Sequence, residues 1–291
     1  MIRIGTSGWS YPSGDGRWDG MFYPKGKKID QLEFYSRYFD TVEINSSFYR
    51  PILPNMARSW TKKTPSNFTF TAKLYQKFTH PKMFEEATGQ ESELVSEDFE
   101  RFKAGIDPLA EAGKLGCLLA QFPPSFRYSE ASMDYLEDLF RQLRDYPIAV
   151  ELRHRSWTED GGVLRLLGSY DVAWCAIDEP KFSSSIGAVP AAGKLGYFRF
   201  HGRNAKEWWK GDREKRYNYL YSPQEISSLA QKVATVAEKA PNTFVFFNNH
   251  FGAKAVVNAM QMKLQFNQTL PDELPAGLIE QYPELIDGVI I

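Results

Sequence analysis

Glu43, Lys73, Glu151 and His201 have the residue types that proton transfer needs. Each stands at the end of a short apolar run: Val42-Glu43-Ile44-Asn45, Thr71-Ala72-Lys73, Val150-Glu151-Leu152-Arg153-His154 and Arg199-Phe200-His201-Gly202-Arg203-Asn204. Other runs end in the same manner, at Gln121, at Asp178 and at Asn248-Asn249-His250. Successive strand side chains alternate between faces, so Glu151 shares a face with Arg153, and Arg199 shares one with His201. Burying such groups costs several kcal/mol each unless they are paired or functional. A salt-bridged plug would account for one pair, whereas a whole ring of them on separate strands points to a site.

Two chemistries fit this set. In the first, Glu43, Glu151, Asp178 and His201 converge on a divalent metal that polarises a substrate or activates water. In the second, Lys73, Arg153, Arg199 and Arg203 bind or polarise an anion, and Glu43, Glu151 or His201 moves the proton. Asn45, Gln121, Asn248 and Asn249 would then orient hydroxyls or water, and Trp9 would contribute a ring to the same site. The second reading is favoured, because the cations already neutralise the carboxylates. No H-E-x-x-H or other tight ligand spacing is present, so a metal is not assigned and the cofactor is left open. An inward lysine beside carboxylates is ordinarily an ion-pair partner, and an imine-forming role, which needs a depressed pKa that a sequence does not reveal, is not expected for Lys73.

The elements that must position these residues follow from the pattern of apolar runs. Eight β-rich segments recur: Ile2–Ser7, Thr41–Asn45, Phe68–Leu74, Gly116–Phe122, Ile148–Leu152, Val172–Ile177, Gly196–His201 and Thr243–Asn248. Helical periodicity lies between most of them, at Ile29–Phe39, Glu97–Ala112, Met133–Arg144, Gln224–Lys239 and Gly252–Leu264. Ser222-Pro223-Gln224-Glu225 is a capping box. Lys181–Lys194 is rich in Ser, Ala and Gly and reads as a loop, so the helix between strands six and seven is missing or poorly formed. Strands alternating with helices predict an α/β fold, a single (β/α)8 TIM barrel, whose chemistry sits at the C-terminal strand ends. The competing open doubly wound sheet calls for a G-x-G-x-x-G turn, which Gly5-Thr6-Ser7-Gly8-Trp9 does not supply. One barrel domain is expected over residues 1–266, with residues 267–291 packed on its exterior.

The 291 residues carry 35 Lys+Arg against 36 Asp+Glu, a net charge of -1, which excludes an obligate nucleic-acid packaging protein. With 43% hydrophobic and 24% charged residues, disorder is excluded as the main state. Cys117 and Cys175 fall in apolar runs and read as buried free thiols. With no membrane-length apolar run and no signal-peptide pattern, the expected location is the cytoplasm and no membrane partner is expected. Rings cluster after strands, at Tyr11, Trp18, Phe22, Tyr23, Phe48, Tyr49, Trp157, Trp208, Trp209, Tyr217 and Tyr219. Some would stack on a ligand and the rest would build small loop cores. In residues 203–216, Arg203, Lys206, Lys210, Arg213, Lys215 and Arg216 outnumber Glu207, Asp212 and Glu214. That loop suits a phosphate or a nucleic-acid strand, or it is simply a solvated charged surface.

The sequence also resembles a known family, the domain of unknown function 72 or YecE-like proteins. The segments that carry the resemblance include Ile4-Gly5-Thr6-Ser7-Gly8-Trp9-Ser10-Tyr11, Val42-Glu43-Ile44-Asn45-Ser46-Ser47-Phe48-Tyr49 and Phe70-Thr71-Ala72-Lys73. They continue in Leu119-Ala120-Gln121-Phe122-Pro123-Pro124, Ala149-Val150-Glu151-Leu152-Arg153-His154, Phe200-His201-Gly202-Arg203-Asn204 and Phe247-Asn248-Asn249-His250. The resemblance implies a TIM barrel and supplies no agreed reaction, cofactor or catalytic residue. The functional expectation is an enzyme, a hydrolase or lyase, acting on a small anionic, phosphate-bearing or sugar-like substrate. The alternatives are a nucleic-acid-binding or metal-dependent phosphodiesterase barrel and a non-enzymatic sugar- or nucleotide-binding module. The oligomeric state is left open.

Overall fold

The computed structural model of the chain describes residues 1–26, 28–159, 161–187, 192–208 and 213–283. In them the fold is mixed α/β, with nine strands, all paired in parallel: β1 (Ile2–Thr6), β2 (Thr41–Ile44), β3 (Thr69–Lys73), β4 (Leu115–Gln121), β5 (Ile148–Glu151), β6 (Ala173–Trp174), β7 (Ala176–Asp178), β8 (Leu195–Phe200) and β9 (Asn242–Phe247). They form two sheets, in the orders β1-β9-β8-β7 and β2-β3-β4-β5-β6. The sixth expected run is therefore two short strands, broken at Cys175 and assigned to different sheets. The two sheets are not joined into one closed ladder. At the other seam, Ser7 and Glu43 form an isolated parallel bridge.

The strands form where β-branched and aromatic residues run together, and period-two alternation divides their side chains between two cores. One face contributes Cys117, Leu119, Ala149, Ala173, Cys175, Tyr197, Phe244 and Phe246 to a small cluster between the sheets. The other face, with Ile4, Val42, Phe70, Leu118, Ala120, Val150, Phe198 and Val245, packs in the larger cluster with helical residues. Both cysteines are free and buried.

Helices Gln31–Tyr35, Ser96–Glu111, Glu130–Gln142, Pro223–Ala237 and Lys254–Gln265 occupy the expected segments with shifted ends. The capping box is present: the Glu225 N–H donates to Ser222 Oγ at 3.3 Å, and the Ser222 N–H donates to Glu225 Oε2 at 2.9 Å. Pro54–Lys63 and Gly162–Ser169 are further helices, outside the expected segments. No helix occurs in the described part of 181–194. Ala276–Gln281 is a further helix that buries Leu278, and the Tyr282 hydroxyl donates to the Gly252 carbonyl at 2.6 Å. No helix among the described residues is long and apolar enough to cross a membrane.

One packing contact is tight enough to predict from. A Cβ on Gly105, within helix Ser96–Glu111, would lie 2.1 Å from the Ile52 carbonyl oxygen. Alanine would gain up to about 1 kcal/mol in helix propensity, but a backbone oxygen at that distance must move, and overpacking of this kind costs about 1–3 kcal/mol. Gly105→Ala is therefore expected to lower the urea midpoint; a raised midpoint would show that the two segments separate freely.

Candidate active site

All strands point the same way, so their C-terminal ends share one end of the molecule. On the face between the sheets, side chains turn from apolar to polar toward that end: Ala149 to Glu151 to Arg153, Tyr197 to Arg199 to His201, Leu119 to Gln121, Phe246 to Asn248. The first polar layer is buried and fully committed. Arg199 donates from Nε and Nη2 to Glu43 at 2.8–3.2 Å and from Nη1 to Glu151 Oε2 at 2.7 Å. The Tyr197 hydroxyl donates to Glu43 Oε2 at 2.7 Å, and its oxygen accepts from Thr71 Oγ1 at 2.9 Å. Arg153 Nε donates to the other Glu151 oxygen at 2.6 Å. Since β8 lies in one sheet and β2 and β5 lie in the other, one guanidinium holds the two sheets together. Burial alone would raise the pKa of Glu151, but Arg153 and Arg199 hold it well below the usual carboxylate range.

His201 completes this layer. Its Nδ1 lies 3.0 Å from the Asn248 amide, and its Nε2 lies 3.3 Å from Arg153 Nη2. Burial, then Arg199 and Arg153, lower its pKa well below that of a free imidazole. A guanidinium only donates, so Nε2 of the neutral ring is the acceptor. We expect the ring C–H resonances of His201 to stay at neutral-imidazole positions as pH falls from 7 to 5; a titration midpoint near 6.5 would contradict the packing described.

Above this layer opens a cavity of about 210 Å³ lined by Tyr11, Asn45, Tyr49, Lys73, Gln121, Arg153, Arg199, Tyr217, Asn248 and His250. Lys73 Nζ donates to Gln121 Oε1 at 2.9 Å and lies 4.3 Å from the Phe48 ring centre. It makes no ion pair among the described residues, because Arg199 and Arg153 take the nearby carboxylates. Burial, then the charge of Arg199, bring its pKa down to about 7. The ion-pair expectation for Lys73 is thus corrected. Polar atoms in the lining are also left without partners, namely Asn45 Oδ1 and His250 Nδ1. A larger cavity of about 620 Å³ lies at the opposite strand ends, around Arg3, Gly116, Lys194 and Asn242, away from these groups.

The expected site residues divide accordingly. Lys73, Asn45, Gln121, Arg153, Arg199 and Asn248 line the cavity, while Glu43, Glu151 and His201 lie in the layer packed against Arg199 and Arg153. Asp178 and Arg203 are elsewhere. Arg203 donates to both Asp178 oxygens at 2.8 Å and to Glu225 at 2.7 Å, and the Tyr221 hydroxyl donates to Asp178 at 2.9 Å. Asn249 Nδ2 donates to the Tyr219 carbonyl and to Asn258 Oδ1, both at 2.8 Å. Trp9 packs edge-on against Trp60, outside the cavity lining. With Asp178 sequestered, the divalent-metal alternative loses one of its ligands; among the described residues no three His, Cys, Asp or Glu side chains are grouped to hold a metal.

Glu179, 3.5 Å from Arg153 Nη1, was not expected here. Its carboxyl pKa is raised by burial. Period-two alternation carries the signal: Ala173 and Cys175 face the small cluster between the sheets with Ile177 packed against it, and the next step of two brings Glu179 inward. In the basic segment, Trp209, Lys210 and Asp212 lie outside the described residues. Trp208 is buried, with the Arg216 guanidinium 5.5 Å from its ring centre, and so belongs to a loop core.

The family of proteins described as "Protein of unknown function DUF72" matches residues 3–278. This chain belongs to the DUF72 family. The DUF72 chain is 32% identical over 275 residues to the UPF0759 protein YunF of Bacillus subtilis, covering 90% of this chain and 93% of that one. It is 28% identical over 163 residues to the UPF0759 protein YecE of Escherichia coli, covering 55% and 52% of the two chains. Solved DUF72 family structures share its architecture. One from Thermotoga maritima has a TM-score of 0.78 at 34% identity, covering 92% of this chain and 100% of that one. One from Enterococcus faecalis has a TM-score of 0.80 at 29% identity, covering 94% and 100%.

Proposed function

We propose that this DUF72 chain is an enzyme that binds a small anionic substrate, phosphate-bearing or sugar-like, at the C-terminal strand ends and acts on it by acid–base chemistry. The reading takes the two sheets as one (β/α)8 barrel, on the strength of the Ser7–Glu43 bridge at one seam and the single residue between β6 and β7 at the other. The observation that carries the function is Lys73: a cation without a carboxylate partner among the described residues, in a cavity that Arg153 and Arg199 also line. Arg153 and Arg199 are paired with Glu43, Glu151 and Glu179, so the charge of Lys73 is what attracts an anion to this small polar space. Arg153 and Arg199 are fixed in place by the carboxylates behind them, so they bind without reorganising.

Lys73 is the acid–base group of this reading. It exchanges its proton near neutral pH, whereas Glu151 and His201 are held in one protonation state by their neighbours. Asn45, Asn248 and Tyr217 would orient substrate hydroxyls. The test is thermal stabilisation by a panel of phosphate esters, sugar acids and inorganic sulfate, followed by NMR of each stabilising compound for chemical change. A ligand at 100 times its Kd would add about 2.7 kcal/mol of stability. If no anion raises the melting temperature at low ionic strength, the reading fails. If anions bind unchanged and no turnover is found, a binding module replaces the enzyme.

A further inference from the structure

We propose that Lys73 forms an imine with the carbonyl carbon of a small anionic aldehyde or ketone held in the mouth cavity. The inference rests on the anion-site reading above and adds the reactive group of the substrate.

The chain contains a useful contrast. Lys114 is also buried, and its Nζ donates to the Thr61 carbonyl, the Thr64 carbonyl and Thr64 Oγ1 at 2.7–2.9 Å, so all three of its hydrogens are satisfied. Among the described residues Lys73 donates only to Gln121 Oε1, with the Phe48 ring beside it, and it lines open space. Gln121 is held in turn by its Nε2 donating to the Phe122 carbonyl at 3.3 Å. The amine is thus aimed by two contacts and left unsatisfied toward the cavity. A lysine present only for structure would be enclosed as Lys114 is. Its depressed pKa supplies neutral amine at neutral pH, which an ordinary lysine does not.

In the step itself, the Lys73 lone pair adds to the carbonyl carbon, and the C=O π pair moves to oxygen, which takes a proton. The nitrogen gives up a proton to leave a carbinolamine, whose hydroxyl takes a second proton and leaves as water while the nitrogen lone pair forms the C=N bond, and the nitrogen then loses its remaining proton. Amine plus carbonyl gives imine plus water, and one further proton gives the iminium ion. An iminium beside Arg153 and Arg199 is tolerated only if the substrate brings negative charge, which is why the carbonyl compound must be anionic. The polar lining of Asn45, Asn248 and His250 provides partners for hydroxyls on the same molecule.

The experiment is borohydride trapping on the full chain. The protein is incubated with pyruvate and, separately, with glyceraldehyde 3-phosphate, reduced with sodium borohydride, and mapped by peptide mass spectrometry. One adduct per chain, on the peptide carrying Lys73, suppressed by excess sulfate and absent from Lys73→Arg, is the expected result with at least one probe. No adduct with either probe overturns the imine, as do adducts spread over exposed lysines and unchanged in Lys73→Arg. The wild-type map stands whether or not the variant folds. Thermal stabilisation by sulfate is measured in parallel: stabilisation without trapping removes the imine and keeps the anion site, and the absence of both removes both.

Discussion

Replacing Arg199 with Met is expected to cost about 3–5 kcal/mol of folding stability at pH 7, the range for removing one partner of a buried ion pair. In a chain of this size that lowers the melting temperature on the order of 10 °C. Glu43 and Glu151 are wholly buried, and the substitution strips three hydrogen bonds from the first and one from the second. Glu151 retains Arg153; among the described residues Glu43 retains Tyr197. The pH dependence follows from Glu151. Its folded pKa is depressed, so its contribution is present above the unfolded value of about 4.3 and fades as pH falls toward the folded one. The gap between wild type and variant is accordingly widest near pH 7 and narrows below about pH 4.5. Urea denaturation at both pH values measures it. A loss under 1 kcal/mol at pH 7 would mean that water, not Arg199, solvates these carboxylates. Adding Glu43→Gln to the Arg199→Met background should recover part of the loss, because one uncompensated charge is then gone.

Lys73→Met is expected to act in the opposite sense on stability and more strongly on binding. Lys73 has a folded pKa of about 7 against about 10.4 unfolded. Its contribution is full above the unfolded value and is lost as pH falls to about 7, so in more acidic solution the fold carries a desolvated ammonium. Methionine removes that burden, and the variant should be at least as stable as wild type at pH 6. Sulfate affinity at pH 6 should nevertheless fall at least tenfold, the loss of one charge-assisted hydrogen bond. In the wild type, sulfate binding weakens as pH rises from 6 to 8, and in the variant it is flat. The other charged groups around Lys73 do not titrate in that window. Arg153 and Arg199 are raised above their ordinary values, Glu151 is held far below 6, and burial, then Lys73 itself, brings His80 down to about 4. Titration calorimetry with sulfate decides; equal affinities in the two proteins would remove Lys73 from the site.

How much of this was legible in the sequence depended on the kind of signal. The strands were readable because buried parallel strands are short apolar runs, and only the break at Cys175 escaped. Helix Pro54–Lys63 escaped because it buries only Ala57 fully and its apolar stripe is just Met56, Ala57 and Trp60. Gly162–Ser169 escaped because it starts on glycine, with glycine again near its end. At the site, Glu151 with Arg153 and Arg199 with His201 could be read by alternation because β5 and β8 are regular. The same alternation, followed from Ala173 and Cys175, places Glu179 rather than Asp178 on the inner face, so Asp178 pairs with Arg203 and Glu179 lies beside Arg153. Asn249 and Arg203 follow strand ends where the chain has already turned, and period-two logic no longer holds there. No pattern of residue types tells that Lys73 has no carboxylate partner among the described residues. That is a fact of three dimensions, set by where the Arg199 guanidinium lies.

The guanidinium that spans the sheets has a practical consequence for anyone mapping this protein by mutation. Arg199 lines the cavity and is also the clasp of the scaffold, so under the proposed function its loss would register in an activity screen as the loss of a reactive group does. Lys73 is the informative residue, because it can be silenced while the architecture stands. A survey that scored output alone would rank the two together; one that also weighed soluble, cooperatively melting protein would separate the hinge-pin from the tool.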